Sequence, residues 1–376
     1  MIQPQFFYDT LAELGIDFYT GVPDSLLKNI CAYITDHSSR EKNIIAANEG
    51  GAVGLAAGYH LATGRIPLVY MQNSGEGNTV NPLMSLTDKD VYNIPLLLLI
   101  GWRGEPGVHD EPQHVKQGKV TLSLLDAMGI RYEILSTDET ECEEQLKRAN
   151  QYMQETKEAF ALIVRKGTFA DYKLQNNIDT GLSLVREEAI KTVAASMETD
   201  AVVVSTTGMI SRELFEYREA VGEGHARDFL TVGSMGHASQ IALGIALQQG
   251  GRRVYCFDGD GASIMHMGGM AIVAQMHPSN YVHVVFNNGA HDSVGGQPTV
   301  GLQVNLVQVA EACGYQKAYS VSDKETLQQV LAQIKQEEGP LFVEVKVKKG
   351  ARKDLGRPTT TPVENKEAMM AFLKKR

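Results

Sequence analysis

Two short strings late in the chain have residue types and a spacing suited to holding an ion. They are GDGAS at 259–263 and FNNG at 286–289. Residues 253–257 (RVYCF) read as a short buried strand. Residues 262–276 carry apolar side chains at helical spacing without proline, HPSN turns the chain, and 281–286 (YVHVVF) read as a second strand. A strand, helix, strand order predicts that both strings leave the same edge of a parallel sheet, where open α/β sheets hold ligands. Asp260 and Asn288 would then face each other. One carboxylate and one amide oxygen suit a hard divalent cation, with ligand phosphates and water completing the octahedron. A tight turn followed by an Asn cap would use the same residues, and the strings by themselves leave that alternative open.

Two further strings lie upstream. Residues 48–65 (NEGGAVGLAAGYHLATGR) put Glu49 after the strand pattern 43–47 and at the head of a small-residue helix. A glutamate there serves a helix dipole, but its alanine, glycine and valine neighbours solvate a carboxylate poorly and suit a group that shares a proton. Residues 233–236 (GSMG) lead into HASQIALGIAL, a helix with small residues on one face. Alone, a methionine between glycines reads as core filler.

Taken in order, the three strings resemble the thiamine diphosphate-dependent decarboxylases, in which GDG precedes NN at this spacing. The resemblance implies that Asp260, Asn288 and the carbonyl of Ala290 hold Mg2+. Gly259, Gly261, Ala262 and Ser263 would meet the diphosphate, as glycines and a helix start allow. Glu49 would activate the cofactor through its pyrimidine. The Gly233 carbonyl would accept from the aminopyrimidine, Met235 would wedge the cofactor into its bent shape, and Gly236 would complete that loop. Most members carry a third domain between the two that bind the cofactor, whereas here a polar stretch joins them directly. That compact plan, with the strings TGVPDSLL, MQNSGEGN, GWRGEPGVHDEPQH and NNGAHDSVGGQPT, resembles the phosphonopyruvate and sulfopyruvate decarboxylase branch. In the sulfopyruvate enzymes the two domains are commonly separate chains, which tilts the choice toward phosphonopyruvate.

The implied reaction is loss of CO2 from 3-phosphonopyruvate to give phosphonoacetaldehyde, with the thiazolium as electron sink. Sulfopyruvate or another 2-oxo acid is the alternative substrate. A noncatalytic module that binds Mg2+ and cofactor is the alternative of another class. Proton transfer needs titratable groups over the ring. Asp24 follows GVP at a strand end, where a helix N-cap would also fit, and His114 lies in a loop with His109, Asp110 and Glu111 that we read as substrate-closing. Two histidines at this spacing are weak evidence of a metal site. A phosphonate needs N–H donors or positive charge. Arg103, in the glycine-rich loop after 96–100, matches oxyanion geometry, and Ser25, Asn73 and Ser74 sit at other strand ends.

These side chains need a frame, and alternating patterns supply it. Strands are expected at 16–21, 43–47, 66–71, 96–100, 130–135 and 160–164, then at 201–205, 229–232, 254–257, 282–286 and 341–347. The fold class expected is α/β, with two doubly wound parallel-sheet domains and no central third domain. The boundaries are 1–165 for the pyrimidine-binding domain, 166–186 for the linker, 187–350 for the diphosphate and Mg2+ domain, and 351–376 for a C-terminal tail and helix. The 376 residues suffice for two domains. A net charge of −10 disfavours nucleic acid, and the basic string VKVKKGARKDLGR reads as a solvated tail. Cys31, Cys142, Cys256 and Cys313 show no paired spacing, which predicts a reducing, cytoplasmic setting. The start reads as an amphipathic helix rather than a signal peptide, and 94–100 is too short to span a bilayer. The resemblance further implies a homodimer or higher homo-oligomer with active sites between subunits.

Overall fold

The computed structural model describes residues 1–176 and 179–375. It divides into two units, Met1–Asn177 with Ser293–Gln297, and Ile178–Asp292 with Pro298–Arg376.

In the first unit the apolar runs form a six-stranded sheet: β1 (Tyr19–Gly21), β2 (Asn43–Ile45), β3 (Leu68–Gln72), β4 (Leu97–Gly101), β5 (Arg131–Ile134) and β6 (Phe160–Val164). The order is β2-β1-β3-β4-β6-β5, and every pairing is parallel. All residues of β4 and β6 are buried, as expected for central strands covered on both faces by helices. The sheet grows from β1 in both directions, so the loops leaving β1 and β3 border its switch point.

The second unit repeats the plan with β7 (Val202–Ser205), β8 (Asp228–Leu230), β9 (Val254–Gly259) and β10 (Tyr281–Asn287). Two dipeptide strands, β11 (Ala290–His291) and β12 (Gln297–Pro298), follow, then β13 (Lys317–Val321) and β14 (Leu341–Lys346). The parallel sheet runs β13-β14-β10-β9-β7-β8, with its switch point between β7 and β9. β13 was not expected, because in this edge strand only Val321 is buried. The C-terminal helix Pro362–Leu373 guards the opposite edge. Asn365 accepts from Leu230 N at 3.0 Å and donates to Asp228 O at 2.8 Å, satisfying groups an edge strand leaves open.

The helix expected over 262–276 is two helices, Asp260–Met265 and Gly268–Met276. The break falls at His266 and Met267, where His266 leaves the helical conformation (φ −130°, ψ 48°), and just inside the second helix Gly269 is crowded by Gln240. A Cβ there would stand 2.7 Å from the Gln240 Nε2, which donates to Gly269 O.

Within the stretch 166–186, residues 177 and 178 lie outside the described residues, as does 376 at the tail. The neighbours of 177 and 178 are anchored. Ile2 and Phe169 bridge in parallel, Phe169 packs edge-on against Phe7 at 5.2 Å, and Asp36 accepts from Gln175 N and Asn176 N. Leu184 is buried, and Lys348 N donates to its carbonyl at 2.7 Å. Among the described residues no helix is long and apolar enough to cross a membrane.

Candidate active site

At the carboxyl ends of β1, β3 and β4 the first unit gathers one polar network. Asp24 is wholly buried. Its carboxylate accepts from Leu26 N at 2.8 Å, from Ser25 Oγ at 3.3 Å and from Gln72 Nε2. It is not a helix cap, since the next helix, Lys28–His37, starts from Leu27 with no side-chain cap. Ser74 Oγ donates to Gln72 Oε1 at 2.7 Å.

Arg103, the phosphonate candidate, is already partly paired. Nε and Nη2 donate to the two oxygens of Asp110, and Nη1 donates to Ser25 Oγ at 2.8 Å. Two of its five donors remain. Burial pushes the Asp110 carboxyl up, but hydrogen bonds from Arg103 and Gly104 N and the Arg103 charge outweigh it, holding the group at about 2. Asn73 is likewise committed. Its amide donates to Arg103 O at 2.8 Å and Thr121 Oγ1 at 2.9 Å, and accepts from Arg103 N at 3.1 Å. With both N–H groups used, Asn73 shapes the Arg103 loop and has no donor left for a substrate.

His114 lies in the first turn of the helix Pro112–Ala127 and is buried. The segment read as a substrate-closing loop is therefore pinned by Asp110 on one side and helical on the other. Burial and then the Arg103 charge lower the His114 pKa, so its imidazole is neutral at neutral pH.

Glu49 opens the helix Glu49–Thr63, capped by Asn48, whose side chain accepts from Gly51 N. Its Oε2 accepts from Asn78 Nδ2 at 2.7 Å, and Gly75 leaves the space its carboxylate occupies. Next to Gly75 stands Glu76, 2% exposed, with neither oxygen hydrogen-bonded among the described residues. Burial raises its pKa to about 8, with only Thr121 opposing. The Thr121 hydroxyl donates to Gln117 O instead. Sequence reading missed Glu76, since nothing in the string SGEGN marks its glutamate as buried.

In the second unit β9 and β10 are neighbours, with Gly259 opposite Phe286, so the two strings meet at the sheet edge. Asp260 is 2% exposed. Burial raises its pKa to about 6, against hydrogen bonds from Thr299 Oγ1 and from the backbone N–H groups of Asp260, Asn288 and Gly261. Gly301 leaves room for it, because a Cβ there would stand 2.7 Å from Asp260 Cβ. Asn288 Oδ1 accepts from Ala290 N at 3.0 Å, and Nδ2 donates to Asp292 Oδ2 at 2.6 Å. The GSMG loop packs on the same region. Gly233 (φ +67°) donates to Thr207 Oγ1, Met235 is half-buried, and a Cβ on Gly236 would meet Ala262 O at 3.2 Å. Thr299, Thr206 and Asp292 were not singled out from sequence. Their polar types are common in loops, and only the fold brings them to these strand ends.

Residues 4–128 match the family described as thiamine pyrophosphate enzyme, N-terminal TPP binding domain, and residues 206–345 match its C-terminal TPP binding domain. This chain belongs to the thiamine pyrophosphate enzymes. Phosphonopyruvate decarboxylase of Streptomyces viridochromogenes is 35% identical, over 96% of this chain and 93% of that one. Phosphonopyruvate decarboxylase of Streptomyces hygroscopicus is 33% identical, over 94% and 90%. Sulfopyruvate decarboxylase of Methanosarcina acetivorans is 28% identical, over 91% and 90%. Other sulfopyruvate decarboxylase relatives are separate alpha and beta subunits that match about half of this chain or less, so the Methanosarcina relative weakens, without removing, the argument from an undivided chain.

The residues present fit thiamine diphosphate with a hard cation. The hydroxyls of Ser263, in the short helix after β9, and of Thr206, just past β7, are buried and have no hydrogen-bond partner among the described residues. One carboxylate with amide and carbonyl oxygens is a donor set for Mg2+ rather than a softer metal.

Proposed function

We propose that this chain is a thiamine diphosphate- and Mg2+-dependent 2-oxo acid decarboxylase that converts 3-phosphonopyruvate into phosphonoacetaldehyde and CO2. The observation that carries this reading is the correspondence, across more than nine-tenths of the chain, with two phosphonopyruvate decarboxylases. Sulfopyruvate is the second reading, favoured by the Methanosarcina relative, which covers 91% of this chain at lower identity.

In this account the first unit supplies Glu49 to the pyrimidine, and the second supplies the diphosphate and Mg2+ residues together with the GSMG loop. When bound, the cofactor supplies the sink for the electron pair left as CO2 departs. Asp260, Asn288 Oδ1 and the Ala290 carbonyl hold Mg2+. Gly259, Gly261, Ala262, Ser263 and Thr206 meet the diphosphate, while Gly233, Met235 and Gly236 seat the pyrimidine. Glu49, oriented by Asn78, would hold the proton that the cofactor's pyrimidine needs. A carboxyl removed from water suits that role. Asp24 and His114 manage protons on the substrate. His114, neutral at working pH, acts by hydrogen bonding or by accepting a proton. The two uncommitted N–H groups of Arg103 receive the phosphonate, while Ser25 and Ser74, whose hydroxyl protons go to Asp24 and Gln72, shape the pocket around it.

We also infer a homo-oligomer of at least two subunits working in a reducing cytoplasm, which fits three buried free cysteines and a fourth half-buried one. The test of function is incubation of the purified chain with thiamine diphosphate, Mg2+ and phosphonopyruvate. Aldehyde and CO2 should appear in equal amounts. Cofactor binding without product would instead favour the noncatalytic module.

A further inference from the structure

Asn288 has only one way to place its side-chain amide. On one side stands Ala290 N–H, which can only donate, and on the other stands the Asp292 carboxylate, which can only accept. Turning the amide over would set oxygen against oxygen and N–H against N–H. A free asparagine side chain has no such preference, so the orientation of this one is imposed by Ala290 N–H and Asp292 together, Asp292 being the side-chain contribution.

Asp292 is itself held. The same Oδ2 accepts from Arg186 Nη1 at 3.0 Å and from Gly350 N at 3.0 Å. Arg186 turns its Nε and Nη2 to the two oxygens of Glu213, each at 2.9 Å. The side chains of Arg186, Glu213 and Asp292 are 5%, 2% and 9% exposed. Arg186 begins the helix Arg186–Ser196, Glu213 lies on the helix Met209–Val221, and Gly350 follows β14. Two separate elements thus converge on the carboxylate that grips Asn288, and a third, through Glu213, holds Arg186. A buried ion cluster is weak evidence for stability, since desolvation offsets most of the attraction. Fixing a geometry is what such a cluster does best.

We propose that Asp292, anchored by Arg186, is a positioning residue that fixes the Asn288 amide with its oxygen on the cation side. The proposal rests on the reading that Asn288 is a Mg2+ ligand. It follows the rule that partners of metal ligands set ligand orientation and affinity.

The test is calorimetric titration of thiamine diphosphate into the full-length protein at a series of Mg2+ concentrations, for wild type, Asp292→Ala, Asp292→Asn and Asn288→Ala. Asp292→Ala should raise the Mg2+ concentration for half-maximal cofactor binding by about 10- to 100-fold. Saturating Mg2+ should restore binding. Asp292→Asn keeps an acceptor oxygen and should shift it less. Wild-type Mg2+ dependence in Asp292→Ala, alongside its loss in Asn288→Ala, overturns the positioning role and leaves the ligand reading standing. Unchanged Mg2+ dependence in Asn288→Ala removes the ligand reading and the positioning role with it. If Asp292→Ala does not fold, Asp292→Asn decides: a shift supports the role, and a wild-type titration overturns it.

Discussion

Glu49 and Gly75 fit against each other so closely that position 75 has no room for a side chain. The backbone there is at φ −81°, a conformation alanine adopts freely, yet a Cβ would stand 2.6 Å from both Cγ and Cδ of Glu49. Glycine is required here by its neighbour rather than by backbone strain.

Gly75→Ala should therefore displace the Glu49 carboxylate while leaving the fold intact. We expect turnover to fall toward that of Glu49→Gln, itself slowed by about two to four orders of magnitude, the range for a general acid or base. The thermal midpoint should hardly move. Rate measurements beside a melting curve check this, and a Gly75→Ala enzyme with wild-type turnover would remove Glu49 from its proton-holding role.

Glu76 should make stability depend on pH. Its pKa is raised by burial from an ordinary 4.5 to about 8, so the unfolded chain ionises it first. Below about pH 4.5 the group is neutral in both states and adds no penalty. As pH rises toward 8 the unfolded state gains, and folded stability is lost. Glu76→Gln should lose less stability between pH 5 and pH 8 than wild type. Parallel denaturant-melting profiles for the two proteins would contradict the burial of an uncompensated carboxyl.

Arg103→Ala should raise KM for phosphonopyruvate by about 10- to 100-fold, the effect of losing a charge-assisted hydrogen bond worth about 1.5–3 kcal/mol. Pyruvate, which has no phosphonate, serves as the internal control. The loss of the Asp110 partner would disturb both substrates alike. Equal changes in KM for the two would assign Arg103 to holding the Asp110 loop alone.

What the sequence made legible divides by the kind of signal. Strands such as Phe160–Val164 and Tyr281–Asn287 are continuous apolar runs, and their burial in parallel sheets follows directly. The edge strand Lys317–Val321 buries one residue and carries no such run. The GDGAS and FNNG strings stood out because glycine, carboxylate and amide recur at a fixed spacing around a strand and a helix. Asp292 and Thr299 belong to the same site but are ordinary loop residues until the fold sets them against Asn288 and Asp260. Arg103 was visible as a cation. Its clamp by Asp110, seven residues on, was not, since a loop spacing does not reveal which side chains turn inward. The helix break at His266 and Met267 was hidden because the run 262–276 keeps its apolar spacing without a proline to mark it.

The central claim, decarboxylation selective for a phosphonate, is tested most directly by measuring kcat/KM for phosphonopyruvate, sulfopyruvate and pyruvate with thiamine diphosphate and Mg2+. A site built to hydrogen-bond a charged group rejects analogues that lack it by about 10^4-fold or more. Phosphonopyruvate should therefore exceed pyruvate on that scale. Its margin over sulfopyruvate should be smaller, because a sulfonate shares the shape and differs in charge. A value for sulfopyruvate above that for phosphonopyruvate, or pyruvate turned over as well as either, would contradict the assignment.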